Sequence, residues 1–224
     1  MNEPQTPSGR GLVNAPLVVS ATSLLLIGLH ALVMLAGPEE QLQIAYEFAL
    51  APRRFHALAG SDIAYPSEAQ AWLTLVSCSL LHGDWMHVIV NALMILAFGA
   101  PVARALGTSL TGAALWMLLF IASIVSGSLA FLALSPEDAG AAVGASGGAS
   151  GLIAAAFLLT DPQGPSLLSR RFLSLSLGLV LANVLLTLLS PFLLGVAIAW
   201  EAHAGGYAAG AVMALLLSGR RHRR

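Results

Sequence analysis

Six apolar runs divide this chain, at about residues 16–36, 85–103, 110–134, 146–160, 172–190 and 196–217, each close to the roughly 20 residues that cross a bilayer as a helix. Few folds are open to such a chain. In lipid every backbone N–H and C=O must be bonded internally, so the runs predict an all-α membrane protein, a bundle of six transmembrane helices. The composition agrees: 57% hydrophobic and 9% charged residues lie outside the range of a water-soluble domain. A net charge of −1 offers no basic field to nucleic acid. The first run has the length of a span rather than of a signal-peptide core, and no cleavage site follows it, so it is expected to be retained. The single cysteine, Cys78, lacks a partner for a disulfide or a structural metal and reads as a buried small hydrophobe.

Arginine sets the expected orientation, because short cytoplasmic loops carry an excess of it. Arg10 precedes the first run, Arg104 joins the second and third, Arg170 and Arg171 join the fourth and fifth, and Arg220, Arg221, Arg223 and Arg224 follow the sixth. All four places fall on one side, which makes both termini cytoplasmic. Residues 1–15 read as a disordered tail, 16–217 as the six-helix membrane domain and 218–224 as a basic tail. The connection 37–72 is then external. It holds Arg53 and Arg54 among five carboxylates, Glu39, Glu40, Glu47, Asp62 and Glu68, and its length predicts a small structured element on the membrane surface rather than a turn.

Chemistry concentrates at Gly144-Ala145-Ser146-Gly147-Gly148-Ala149-Ser150-Gly151, which opens the fourth run. Ser146 is a candidate nucleophile in surroundings almost free of Cβ atoms, where a peptide can approach the backbone closely. His203, on the sixth run, falls at comparable depth, about 10 Å below a helix start near Val196. A neutral imidazole there can take the hydroxyl proton, the activation that serine requires. The two helices are expected to touch. Ala202, Gly206, Gly210 and Ala214 recur every fourth residue on one, Gly147, Gly151 and Ala155 on the other, and such small-residue ridges let backbones meet in lipid. Glu201 stands about 200° around the helix from His203 and is expected to face elsewhere, so the reading is a dyad rather than a triad.

The second run contributes His82-Gly83-Asp84-Trp85-Met86-His87 and Asn91. His87 and Asn91 are i,i+4 on one face and could donate to an oxyanion, together with the backbone N–H of Ser146; Asp84 is placed to cap the helix. His82 reads as a structural hydrogen bond at the helix mouth. His30, His56 and His222 have no motif around them and read as structural or solvated. A zinc protease using His82, His87 and His203 would need a carboxylate on the His87 face or an H-E-x-x-H motif, and the sequence has neither.

Gly144-Ala145-Ser146-Gly147 opening the fourth span, His82, His87 and Asn91 spaced H-x4-H-x3-N on the second, and Ala202-His203 with Gly206 and Gly210 on the sixth resemble the rhomboid intramembrane serine proteases. The resemblance covers about residues 16–217. It implies a six-helix rhomboid-like bundle, a Ser146 and His203 catalytic dyad, and His87, Asn91 and Gly144 at the oxyanion and substrate. It implies no cofactor and no metal, with transmembrane proteins and lipid as partners. Many rhomboids carry a Trp-Arg pair ahead of the second span. Here the stretch reads Trp72-Leu73-Thr74, so Arg53 or Arg54 is expected to anchor the first loop instead. Ser150 repeats the tetrad in phase, but the glycines following Ser146 fit the family's pattern better. A non-catalytic relative that binds or sorts transmembrane helices is the alternative reading, and the sequence sets no oligomeric state.

A compact six-span layout suggests a bacterial inner membrane. A peptide bond inside a regular helix cannot enter a dyad at depth without unwinding, so single-span substrates rich in Gly or Pro near the cut, with a small residue before it, are expected. Entry is expected laterally beside the fifth helix, broken at Ser190-Pro191 and followed by a mobile cap, Phe192 to Gly195. With both termini cytoplasmic, a cysteine placed at position 137 should react with a membrane-impermeant reagent in intact cells and one at position 170 should not; the reverse labelling would invert the topology.

Overall fold

The computed structural model describes residues 15–57, 60–193 and 197–219. Nine α-helices are described: α1 Leu17–Leu35, α2 Pro38–Phe48, α3 Pro52–Phe55, α4 Glu68–Ser77, α5 Trp85–Leu106, α6 Leu110–Leu134, α7 Ser146–Leu159, α8 Arg170–Leu193 and α9 Trp200–Ser218. A 3-10 turn, Cys78–Leu80, follows α4, and an isolated antiparallel bridge joins Leu50 to Ala142. The helix starts follow local chemistry. Ser67, Asp84 and Ser109 accept from the backbone N–H of Gln70, His87 and Gly112, each filling a donor that the first turn leaves open. Pro38 opens α2 at a position where its missing N–H costs nothing.

Each of the six apolar runs is helical, and four of them, α1, α5, α6 and α8, have the length and hydropathy of a membrane span. The other two are the pair that holds Ser146 and His203. α7 is 14 residues long, about 21 Å at 1.5 Å per residue. α9 has 19 residues and is diluted by Glu201, His203 and glycine. Two expectations are corrected. α9 begins at Trp200 and not near Val196, so His203 lies in its first turn, about 4.5 Å below the start rather than 10 Å; residues 197–199 approach in a non-helical conformation. α8 is not broken at Ser190-Pro191. It runs through Pro191 to Leu193, because a proline in the last turn forfeits a single hydrogen bond near an end that frays anyway. Of the expected cap, Phe192 is therefore helical, and residues 194–195 lie outside the described residues, as do His222 and most of both tails.

α7 occupies the centre, packed on α9, α6 and α5, with Gly147 to Ala156 buried without interruption. Burial is not what presses these helices together, since lipid is as apolar as leucine; close packing and interhelical hydrogen bonds are. The expected small-residue ridges meet in register. A Cβ added to Gly206 would fall on the carbonyl of Gly147, and one added to Gly210 on the carbonyl of Gly151. α6 joins the same contact through Gly127, where a Cβ would stand 2.6 Å from the Ala202 carbonyl oxygen. Ser126 Oγ donates to the Gly205 carbonyl at 3.0 Å across that interface. α1 packs on α5, where Ser23 Oγ donates to the Ala92 carbonyl at 3.3 Å.

The 37–72 connection is structured, and Arg54 is its centre. Its guanidinium lies over Tyr46 at 3.6 Å and Tyr65 at 4.0 Å, a cation–π arrangement, and donates to the carbonyls of Tyr46 and Ile63. Tyr65 completes the fold by donating its hydroxyl to the Ala49 carbonyl at 2.6 Å while accepting from the Ala51 N–H at 2.9 Å. The segment ties to the bundle through Ser77 Oγ, which donates to the Phe48 carbonyl at 2.9 Å, and Ser128 Oγ, which donates to the Leu75 carbonyl at 2.8 Å. Cys78 is buried, as expected, and burial pushes its thiol up to about 11.

Gly206→Val should lower the melting temperature in detergent by an amount equivalent to 1–3 kcal/mol or more, the usual cost of forcing methyl groups into a filled contact. Gly178, on α8, has open space around it; Gly178→Ala should leave the temperature unchanged or raise it, since alanine gains about 1 kcal/mol over glycine in a helix. Equal effects of the two substitutions would contradict this account of the interface.

Candidate active site

The loop ahead of α7 spends its backbone donors one by one. The N–H of Ala142 donates to the Leu50 carbonyl at 2.8 Å, that of Gly144 to the Cys78 carbonyl at 2.9 Å, and that of Ala145 to His82 Nε2 at 3.4 Å. The first helical donation inside α7 comes from Ala149, to the Ala145 carbonyl at 2.9 Å. Between them lie the N–H groups of Ser146, Gly147 and Gly148, which a helix start leaves without intrahelical acceptors. Ser146 thus stands at the first helical position, half-buried, beside backbone donors and the positive end of the helix dipole. Ser150 sits one turn deeper and is buried.

His82 performs the structural task expected of it, and more specifically than the sequence suggested. Its Nε2 accepts only if the ring is neutral, and burial, reinforced by His87 and His30 nearby, pushes it down to about 3. The rings of His82 and His87 meet edge-on at 5.1 Å, and His30 packs edge-on against Trp85 at 4.9 Å. His30 is buried and His56 is exposed.

Gly144 has φ +112°, a conformation that strains any residue with a side chain. A Cβ there would also stand 2.6 Å from His87 Nε2. The His87 ring therefore lies against the Gly144 backbone, two residues from the candidate nucleophile. Because the Gly144 N–H is bonded to Cys78, the residue supplies shape and room to this site and no donor. Asn91 shares the His87 face, as expected: it is 3% exposed, and its Nδ2 donates to the His87 carbonyl at 2.9 Å. The second N–H of that amide remains for another acceptor.

Across the glycine interface, a Cβ on Gly147 would stand 3.3 Å from the Ala202 carbonyl oxygen. Ser146 and His203 are the chain neighbours of these two residues, so the helices hold them level. Among the described residues no hydrogen bond joins the two directly. The ring of His203 is held from the other side: its Nδ1 lies 2.9 Å from Asn183 Oδ1, on α8. Sequence reasoning missed Asn183 because no motif surrounds it, yet a carboxamide inside the run Leu181-Ala182-Asn183-Val184 was itself a signal, since an amide in lipid must find a partner. Glu201 is buried in the first turn of α9 and makes no hydrogen bond to His203. A cavity of about 30 Å³ opens beside Ser146, lined by Cys78, Ser128, Phe131, Gly147 and Ala199 among others. It has room for a small group.

A hydroxyl at a helix start with free N–H groups around it, level with an imidazole, is a geometry suited to acyl transfer. The family model described as Rhomboid domain matches residues 69–220, most of the chain, including Ser146, His203, His87 and Asn91. No curated protein matches the chain. The chain belongs to the rhomboid family, and it is an integral membrane protein.

Gly144→Ala should abolish turnover while leaving the helical circular dichroism intact, because the new methyl group meets both a positive φ and the His87 ring. His87→Ala and Asn91→Ala should each lower kcat by roughly 10- to 1000-fold, the range for loss of one oxyanion donor, with less change in substrate binding. Unchanged turnover in both would leave these residues a packing role alone.

Proposed function

We propose that this protein is an intramembrane serine endopeptidase that hydrolyses peptide bonds in or near the transmembrane segments of single-span membrane proteins. The observation that carries this reading is the placement of Ser146 at the first position of a buried helix, beside unspent backbone donors and level with His203 across a contact that only glycine and alanine allow. In the proposed reaction His203 takes the Ser146 hydroxyl proton as the oxygen attacks the substrate carbonyl. The oxyanion is met by backbone N–H groups at the start of α7, with His87 and Asn91 beside them. His203 then returns the proton to the departing amine, and a water molecule, activated in the same way, hydrolyses the acyl-enzyme.

The finer features of the reading belong together. Six spans follow from the six apolar runs, with α7 and α9 as the two that cross inside the bundle, and both termini cytoplasmic from the arginine distribution; the proposed location is a bacterial inner membrane. The small cavity beside Ser146 supports a preference for a small residue before the cut. Lateral entry beside α8 is supported by that helix's sparse contact with the bundle, almost none of it being buried.

Ser146→Ala and His203→Ala should each abolish cleavage of a single-span substrate with a melting temperature near wild type, since the two groups act as a unit, and Ser150→Ala should retain most activity. A dead Ser150→Ala beside an active Ser146→Ala would overturn the assignment. For the substrate, replacing its Gly and Pro residues near the cut by leucine, or placing phenylalanine before the scissile bond, should each reduce cleavage at least about tenfold, a loss of about 1.4 kcal/mol in the barrier. Undiminished cleavage of both would remove the specificity account and leave the dyad standing.

A further inference from the structure

α8 is the least buried of the long helices, and its side chains are predominantly apolar and exposed, Leu173, Leu177, Val180, Leu181, Val184 and Leu188 among them. Two of its polar side chains nevertheless meet α9. Ser176 Oγ lies 2.5 Å from the Tyr207 hydroxyl, and Asn183 Oδ1 lies 2.9 Å from His203 Nδ1. Ser176 and Asn183 are seven residues apart and His203 and Tyr207 four, so each pair lines one face of its helix. Since apolar surface gains little by moving from lipid onto another helix, these hydrogen bonds and the stacking of Phe172 on the Tyr207 ring at 6.2 Å are what hold α8 against α9.

The bond to His203 carries chemical information that the one to Tyr207 does not. A carboxamide oxygen has lone pairs and no proton, so it can face Nδ1 only when that nitrogen bears the hydrogen. Nε2 is then the unprotonated nitrogen, the one able to take a hydroxyl proton. With the amide reversed, Nδ1 would have to accept, Nε2 would carry the hydrogen, and the ring could not act as base. The geometry points to Asn183 as a positioning residue, holding His203 in the tautomer and orientation that present Nε2 to the Ser146 hydroxyl. This inference rests on the proposed dyad. The proton from Ser146 Oγ arrives at Nε2 while the Nδ1 hydrogen stays in place, and the bond to Oδ1 becomes charge-assisted as the ring gains its positive charge. When Nε2 returns its proton to the departing amine, the starting tautomer is restored.

The experiment compares Asn183→Leu, Asn183→Asp and Tyr207→Phe in the full-length protein, with Ser146→Ala and His203→Ala alongside. Asn183→Leu should lower kcat by about 100-fold, the penalty typical of a misplaced catalytic group, with KM little changed. Asn183→Asp keeps an oxygen acceptor at the same place and should restore most of the rate. Its carboxylate also favours the protonated ring, so the acidic limb of its kcat/KM profile should move to higher pH; His87 on α5 and Glu201 and Tyr207 on α9 are the same in the wild type and in Asn183→Asp. Tyr207→Phe removes the companion bond but keeps the ring stacked on Phe172, so α8 stays docked through that contact and through Asn183, and kcat and the pH profile should be unchanged. Wild-type kcat in Asn183→Leu, an unmoved acidic limb in Asn183→Asp, or an equal loss in Tyr207→Phe would each overturn the inference. Should Asn183→Leu fail to fold, the pH profile of Asn183→Asp decides alone. The two levels separate cleanly: cleavage lost in Ser146→Ala and His203→Ala but normal in Asn183→Leu removes Asn183 only, whereas cleavage surviving in the first two removes the dyad itself.

Discussion

The backbone contact between α7 and α9 is the constraint on which the rest of the structure depends. Gly206 and Gly210 of one helix rest on the carbonyls of Gly147 and Gly151 of the other, at separations that leave no space for a single methyl group. Two helices that approach so closely cannot rotate or slide without collision. Their neighbours, Ser146 and His203, inherit that rigidity. The third wall comes from Gly127 of α6, against the Ala202 carbonyl. A contact of this kind is stabilising in lipid because dispersion grows steeply as backbones close, where burial of apolar surface contributes little.

A second economy governs the loop before α7. Leu50 and the nearby pair Cys78 and His82 all lie more than sixty residues from this loop in sequence, and each takes one donor of the segment 142–145. The donors left over sit at the start of the helix, where the proposed reaction needs them. The histidine cluster shares this architecture: His82 holds the loop and the His87 ring fills the space that Gly144 leaves. The Arg54 and Tyr65 network holds Leu50 in place and thereby reaches the same loop through the bridge to Ala142. The first connection therefore supports the candidate site directly, although it contributes no residue to the chemistry.

Much of this was legible along the chain. Apolar runs separated by arginine gave the helices and their order, because the hydrocarbon thickness imposes a length that composition alone reveals. The α6 boundaries, 110–134, and the start of α7 at Ser146 agree with expectation to the residue. Small residues every fourth position announced which faces would touch, and Asp84 announced its cap. Helix ends near proline were less legible. Pro191 marks a break in isolation, yet the helix passes through it, and residues 197–199 are non-helical where apolar character alone had placed helix.

The sequence by itself determined the class: helices, membrane, a glycine-rich contact, and the serine and histidine that family resemblance and spacing single out. These are periodic or compositional facts, carried by residues near one another in the chain. Tertiary structure decided what surrounds them. That Asn183 meets His203, that His82 takes the Ala145 N–H and that Gly144 spends its own N–H on Cys78 all join segments distant in sequence, and packing also chose Arg54 over Arg53 as the centre of the first loop. Hydrogen-bond partners depend on where packing brings an atom within about 3 Å of another, and no local pattern records that distance.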